Sequence, residues 1–382
     1  MNKNAWGDCL NGACVFALVL GVAGCGPQER LSEVIDLGIV PAELTDDLPL
    51  SIRPVPGNMQ IVLGDDYRKP QWLVDLNSPQ AAPARMADRD GDWGDLDNRI
   101  RAFVDPRGEN NHVLSSTSRD DTWTAIVDEF GEGRGRYMFA WKQANDAAAR
   151  MEDLGPDYET DSRRELLKSA TQVGPDGSIA AVLVWKKRAV PGPGGGSSDG
   201  YGVELLTVHE GALSRTPLRE WDSAEFVSEL ALEAYATEFW AASSGRRLFV
   251  WSFDAKGKYS LPKAIVGSSG TARLIPTSDG ATVAWIDGRY QRMIAWYIDT
   301  AKYTVNTQVA VCRVNQSGIG PVSFLSPKDG NVGGLAAVST PQGPCFVWPQ
   351  RRVNPAKRDQ LDPTYPTRLR AWIDRNSGAV GN

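Results

Sequence analysis

The sequence predicts an all-β protein assembled from repeated short-stranded units, and three observations carry that expectation. The chain of 382 residues holds 38 glycines, 24 prolines and 13 tryptophans, a composition that suits many turns and many aromatic-rich strands. One pattern recurs: a glycine-bearing turn, a run of aliphatic or aromatic residues, and a closing tryptophan, which falls at Trp141, Trp185, Trp251, Trp285 and Trp348. Runs such as AAVLVW (180–185) are apolar at every position, as strands covered on both faces are.

The tryptophans are spaced 44, 66, 34 and 63 residues apart, an uneven series whose mean lies near the size of one propeller blade. Each copy continues into a hairpin. VAWIDGRYQRMIAWYID (283–299) sets two β-rich runs around Asp287-Gly288, and AVLVWKK (181–187) and YGVELLTV (201–208) flank a Gly/Pro/Ser loop. A radial ring of four-stranded sheets hides its strand edges and gives every unit a neighbour to pack on. The fold class expected is therefore a β-propeller over residues 49–376, followed by a short tail, 377–382. At ~45 residues per blade it has about seven blades, with six or eight open and a pair of β-sandwiches as the competing fold. Asp222-Ser-Ala-Glu225 is a capping-box candidate before FVSELALEAYATEFW. Phe226, Leu230 and Ala234 share a helical face, so a short helical insertion is favoured there. SELALEAYA also alternates as a strand would. Another short helix is expected within 143–170, around QANDAAARMEDL.

TSDGATVAWIDGRYQRMIAWYID (277–299) resembles the repeat of TolB-type bacterial propellers, with VGPDGSIAAVLVW (173–185) and SSGRRLFVWS (243–252) as degenerate copies. The resemblance covers under a third of the chain and implies a fold more than an activity.

Residues 13–24, ACVFALVLGVAG, form an apolar run too short to span a bilayer as a helix of ~20 residues. The run ends in Val22-Ala-Gly-Cys25, which resembles the lipobox of bacterial lipoproteins. The resemblance implies a signal peptide over 1–24, lipidation of Cys25, a polar tether over 25–48 leading to a first short strand, and membrane attachment through the lipid. By resemblance to Gram-negative lipoproteins, Gly26 after the cysteine, rather than Asp, implies the outer membrane over the inner one. Of the remaining cysteines, Cys312 and Cys345 are either a disulfide in an oxidising compartment or two buried thiols; the bridge is the expectation carried forward.

The densest polar constellation is Asp88, Asp90, Asp92, Asp95 and Asp97 in a glycine-containing loop. Alternating carboxylates of this kind can ligate calcium, which takes six to eight oxygens. The string resembles the loops of integrin-α-type propellers, with Trp93 where a second glycine belongs. A solvated acidic loop is the other reading. Ser118-Arg-Asp-Asp-Thr-Trp123 resembles the Asp-box turn of sialidase-type propellers without its glycine. Gly196-Ser-Ser-Asp-Gly200 lacks the strand and helix that a nucleophile elbow needs. The only histidines, His112 and His209, stand in no motif. Residues 350–375 are locally basic in a chain of net charge −6, a balance that argues against nucleic acid as a partner.

No catalytic motif is assembled in the sequence. The reading it supports is a lipid-anchored, non-enzymatic binding or scaffold propeller of the cell envelope, with a protein partner there. The alternatives are a carbohydrate-active hydrolase of sialidase-like type and a calcium-stabilised adhesion module.

Overall fold

The computed structural model describes residues 34–377 apart from intervening segments, the longest of which are 87–99, 188–199 and 289–306. Cys25, the five aspartates of 88–97 and most of the Gly196–Gly200 loop lie outside the described residues.

In chain order, β1 (Ile35–Ile39) is followed by a first blade of β2 (Ile52–Pro54), β3 (Gln60–Leu63), β4 (Trp72–Asp75) and β5 (Ala84–Arg85). Blade 2 holds β6 (Asn111–Arg119), β7 (Thr122–Glu129), β8 (Arg136–Lys142) and β9 (Arg150–Pro156). Blade 3 holds β10 (Arg164–Val173), β11 (Ile179–Lys187), β12 (Gly200–His209) and β13 (Ala212–Asp222). Blade 4 holds β14 (Val227–Tyr235), β15 (Glu238–Gly245), β16 (Leu248–Asp254) and β17 (Lys263–Ile265). Blade 5 holds β18 (Ser269–Thr277), β19 (Gly280–Gly288), β20 (Thr307–Asn315), β21 (Gly318–Ile319) and β22 (Ser323–Phe324). Blade 6 holds β23 (Gly330–Val332), β24 (Ala336–Thr340), β25 (Gly343–Asn354), β26 (Lys357–Leu361) and β27 (Arg368–Ile373). All pairings are antiparallel; blades 1 to 4 are simple meanders, in blade 5 β21 and β22 both pair with β20, and in blade 6 β25 pairs with β23, β24, β26 and β27, with β1 outermost on β27. First strands adjoin around the ring: β6 by β10, β10 by β14, β14 by β18, β18 by β24, and β24 by β2. This is a β-propeller closed by its own N-terminal strand.

The described sheets number six, within the expected range of about seven blades with six or eight open. The tryptophan pattern marks two different strands. Trp185, Trp285 and Trp348 lie on second strands, Trp141 and Trp251 on third strands. Trp185 and Trp285 are therefore one hundred residues and two blades apart, so each blade uses more chain than ~45 residues.

The core is a set of layers between blades. On β11, Ile179, Ala181, Leu183 and Trp185 pack against blade 2, while Ala180, Val182 and Val184 pack against blade 4. Successive strand side chains point to opposite faces, and here both faces meet a neighbouring sheet. The expected helix at 226–235 is strand β14. Its alternation prevails because Leu230 and Leu232 enter the layer with blade 3, while Ala231 faces the layer with blade 5. A helix would have withdrawn both rows. The helix expected around 143–154 is likewise absent from the described residues: 143–148 turns, and β9 follows. The segment expected as tether supplies β1.

The same parity undoes the bridge between Cys312 and Cys345. Both are free, buried thiols. The layer between blades 5 and 6 takes Val311 from β20 and Phe346 from β25. Their chain neighbours point the other way, Cys312 toward blade 4 and Cys345 toward blade 1. Burial pushes each thiol up to about 12.

Two polar clamps hold the closure. Asp36 on β1 meets Arg368 at 2.5 Å and Arg370 at 3.1 Å on β27. Burial opposes ionisation of Asp36, but the hydrogen bonds from Arg368 and Gly38 and the two cationic charges outweigh it and hold the carboxyl below its usual range. Asp374, 3% exposed, accepts from Arg313 Nε at 3.0 Å and from the Thr282 hydroxyl at 2.9 Å, which ties the end of blade 6 to blade 5. Gly343 sits beneath it with φ +125°, and a Cβ there would lie 2.1 Å from the Asp374 carbonyl oxygen, so only glycine fits.

Asp374→Ala should lower unfolding free energy by about 2–3 kcal/mol in denaturant titration, because the buried ion pair with Arg313 is broken and the Thr282 hydroxyl is stranded in the core. In the native protein, neither Cys312 nor Cys345 should react with iodoacetamide, and both should react once it is unfolded. Recovery of a 312–345 disulfide peptide from unreduced protein would contradict the facing of the two strands.

Candidate functional site

The first strands of all six blades border a central cavity of about 630 Å³. Four of them share a local irregularity. Register slips between Val113 and Ser115 on β6, between Leu166 and Lys168 on β10, between Val227 and Glu229 on β14, and between Ser269 and Ala272 on β18. A bulge inserts a residue, bends the strand and re-aims a side chain. Here Leu114 and Leu167, the residues skipped in blades 2 and 3, line the cavity, as do Lys168 and Glu229, which follow the slips in blades 3 and 4.

Polar side chains bridge the blades around this cavity. Ser115 and Ser169 share a hydrogen bond of 2.9 Å, and the Thr117 hydroxyl donates to the Thr171 carbonyl at 2.7 Å. Gln172 Nε2 donates to the Glu233 carboxyl at 3.0 Å and to the Leu232 carbonyl at 3.3 Å. Glu229 accepts from Arg273 at 2.7 Å and from the Thr271 hydroxyl at 3.0 Å. Lys168 is exposed to the cavity and has no hydrogen-bond or ion-pair partner among the described residues. Burial pushes the Glu233 carboxyl up to about 7, against the opposing pull of the Arg273 charge and the Gln172 hydrogen bond. The channel thus offers a fixed Arg–Glu pair, an unpaired ammonium, and a carboxyl that changes charge near neutrality.

A second polar cluster spans blade 3 from β10 to β13. Glu204 accepts from Trp185 Nε1 at 3.0 Å and from Arg215 at 2.9 Å, and meets Arg164 at 3.3 Å, while the Arg164 guanidinium lies 3.6 Å above the Trp185 ring. Its charges answer one another. Among the described residues, no group of three or more His, Cys, Asp or Glu side chains converges as metal ligands.

The sequence singled out none of the channel residues. They are spread over β6, β10, β14 and β18, and what brings them to the channel is bulges that no residue pattern announces. Ser118–Trp123 forms the β6–β7 turn, with Asp120 at φ 52° and Trp123 buried. His112 lies on β6 and His209 ends β12, 3.8 Å from Glu210. Much of the basic stretch at 350–375 is spent internally: Arg368 and Arg370 on Asp36, and Arg351 on the Thr367 hydroxyl.

No protein-family model matches the chain, and no curated protein matches its sequence. Among solved structures it is similar to the β-propeller domain of the Trilobed protease from Pyrococcus furiosus, at 9% identity and TM-score 0.39, over 71% of each chain. It is similar to a neuraminidase-like protein of A/little yellow-shouldered bat/Guatemala, at 8% identity and TM-score 0.40, over 92% of this chain and 99% of that one. A sialidase from Trypanosoma rangeli matches at 8% identity and TM-score 0.36, over 91% of this chain and 58% of that one. The fold itself rests on the sheet pairing described above.

The raised carboxyl has a thermodynamic signature. Glu233 ionises near 4.5 in the unfolded chain and about 7 in the folded one. Between those values the folded state holds a proton that the unfolded state has released, so stability falls as pH rises from 4.5 through 7 and then levels. Glu233→Gln, which stays neutral, should raise stability at pH 8 by roughly 2 kcal/mol and change it little at pH 4. Thermal melts across that range check it; an equal shift at both pH values would contradict the burial of this carboxyl.

Proposed function

We propose that this protein is a non-enzymatic binding scaffold, a propeller carried by a lipidated Cys25 in the bacterial cell envelope, with the mouth of its channel as the recognition face. The observation that supports a binding role is the placement of the channel carboxyls. Glu229 and Glu233 stand four residues apart on one strand, a backbone separation of about 13 Å at ~3.3 Å per residue. Glycoside hydrolysis by paired carboxylates sets the carboxyl groups about 5–9.5 Å apart, which this pair would reach only with both side chains leaning toward each other along the strand. Glu229 is also engaged by Arg273 and Thr271, an ion pair and a hydrogen bond that tie blade 4 to blade 5. What remains is a polar, bulge-shaped rim with a free ammonium, suited to holding a partner's anionic group.

The rival reading is a carbohydrate-active hydrolase. It is favoured by the Glu233 carboxyl at about 7, the range of a general acid, with Arg273 close enough to lower it. A panel of aryl glycosides, including a sialoside, separates the two. The scaffold reading expects no turnover above that of Glu233→Gln; turnover lost in that variant would replace it with the hydrolase. For the anchor, Cys25→Ala should move the protein from the membrane to the soluble fraction, and unchanged fractionation would remove the lipoprotein reading.

A further inference from the structure

Nine large apolar side chains stand exposed among the described residues, and five of them, Tyr259, Leu261, Ile319, Val322 and Phe324, belong to the outer edges of blades 4 and 5. Leu261 is 80% exposed and Phe324 48%. The two edges adjoin: β17 lies against β21, and the Lys263 ammonium crosses from blade 4 to donate to the Asn315 carbonyl in blade 5. An apolar face shared by two neighbouring blades marks an interaction site more than scattered surface residues do.

The edges are poor templates for another β-strand. β17 is three residues long, and β21 and β22 are two residues each, separated by Gly320-Pro321-Val322. A proline offers no N–H to a ladder, and short, interrupted edges resist strand addition. The charges point to a different occupant. The β16–β17 turn carries Lys256 and Lys258, both exposed. Their backbone N–H groups are tied to the Asp254 carboxylate at 2.9 Å each, which fixes the turn. Neither ammonium has a partner among the described residues. Two free ammoniums in the turn that leads into the exposed Tyr259 and Leu261 complement a surface with anionic headgroups over an apolar interior.

We propose that the outer edges of blades 4 and 5 dock on an anionic lipid bilayer, with Leu261, Val322 and Phe324 entering the headgroup boundary, Tyr259 at the interface, and Lys256 and Lys258 meeting lipid phosphates. The face is distinct from the channel and does not depend on what the channel binds.

Hydrogen exchange on the full chain tests it, comparing vesicles of phosphatidylglycerol mixed with phosphatidylcholine against phosphatidylcholine alone. Amides of 259–265 and 318–324 should exchange more slowly on the anionic vesicles. Lys256→Gln with Lys258→Gln should lower the docked fraction's equilibrium constant roughly thirtyfold, about fivefold for each lysine. Leu261→Asp should abolish the protection, and both variants should melt as the parent does because the substituted side chains are exposed. Equal exchange on the two vesicle types overturns the inference. So does protection that grows with protein concentration without vesicles, which would make the occupant a second copy of the chain. A chain held to both vesicle types through Cys25 while these edges exchange freely also overturns it and leaves the anchor standing; docking that survives Cys25→Ala supports it and leaves the anchor to its own fractionation test.

Discussion

The pairing of β1 with β27 is the constraint on which the rest of the molecule depends. A propeller blade has two apolar faces and cannot bury either alone. Each finds cover only because the ring closes, and the strand that closes it comes from the opposite end of the chain. Asp36 adds direction to this pairing, since its carboxylate answers Arg368 and Arg370 across the two strands. Asp374 then joins the closed blade to blade 5 through Arg313 and Thr282. Polar groups at these two seams do what an apolar layer cannot: they fix register, because a charge pair is satisfied in only one alignment.

Closure also creates the channel and decides its chemistry. The bulges on β6, β10, β14 and β18 recur in four consecutive blades, and in each case the disturbance falls on the strand next to the axis. The second strands β11 and β15 pair regularly with their third strands and fill the layers between blades, while in blades 2 and 3 register slips again at the outermost strands β9 and β13. The inner strands have open space on one side and can absorb an extra residue. Channel polarity follows from the same geometry: Gln172, Glu233, Glu229 and Arg273 reach across from one first strand to the next, so the groups that hold the blades together are also the groups a ligand would meet.

Strand content and two-sided burial were legible in the sequence. AAVLVW reads as a doubly covered strand and is one, and SELALEAYA carries the alternation that makes β14 a strand despite a plausible helix cap at Asp222–Glu225. The blade count was legible only once the tryptophans could be sorted between second and third strands. Cys312 and Cys345 sit in neighbouring blades, as their spacing suggested, yet face away from each other.

What the sequence determined by itself was local: the period-two alternation, the glycine turns and the apolar runs that make these segments strands and hairpins. The tertiary structure alone decided which face of each strand meets which blade, where the bulges place Lys168 and Glu229, and that Asp36 and Arg368 lie together. These depend on register and on ring closure, which bring together residues that are hundreds of positions apart, and no local pattern of side chains carries information over that distance.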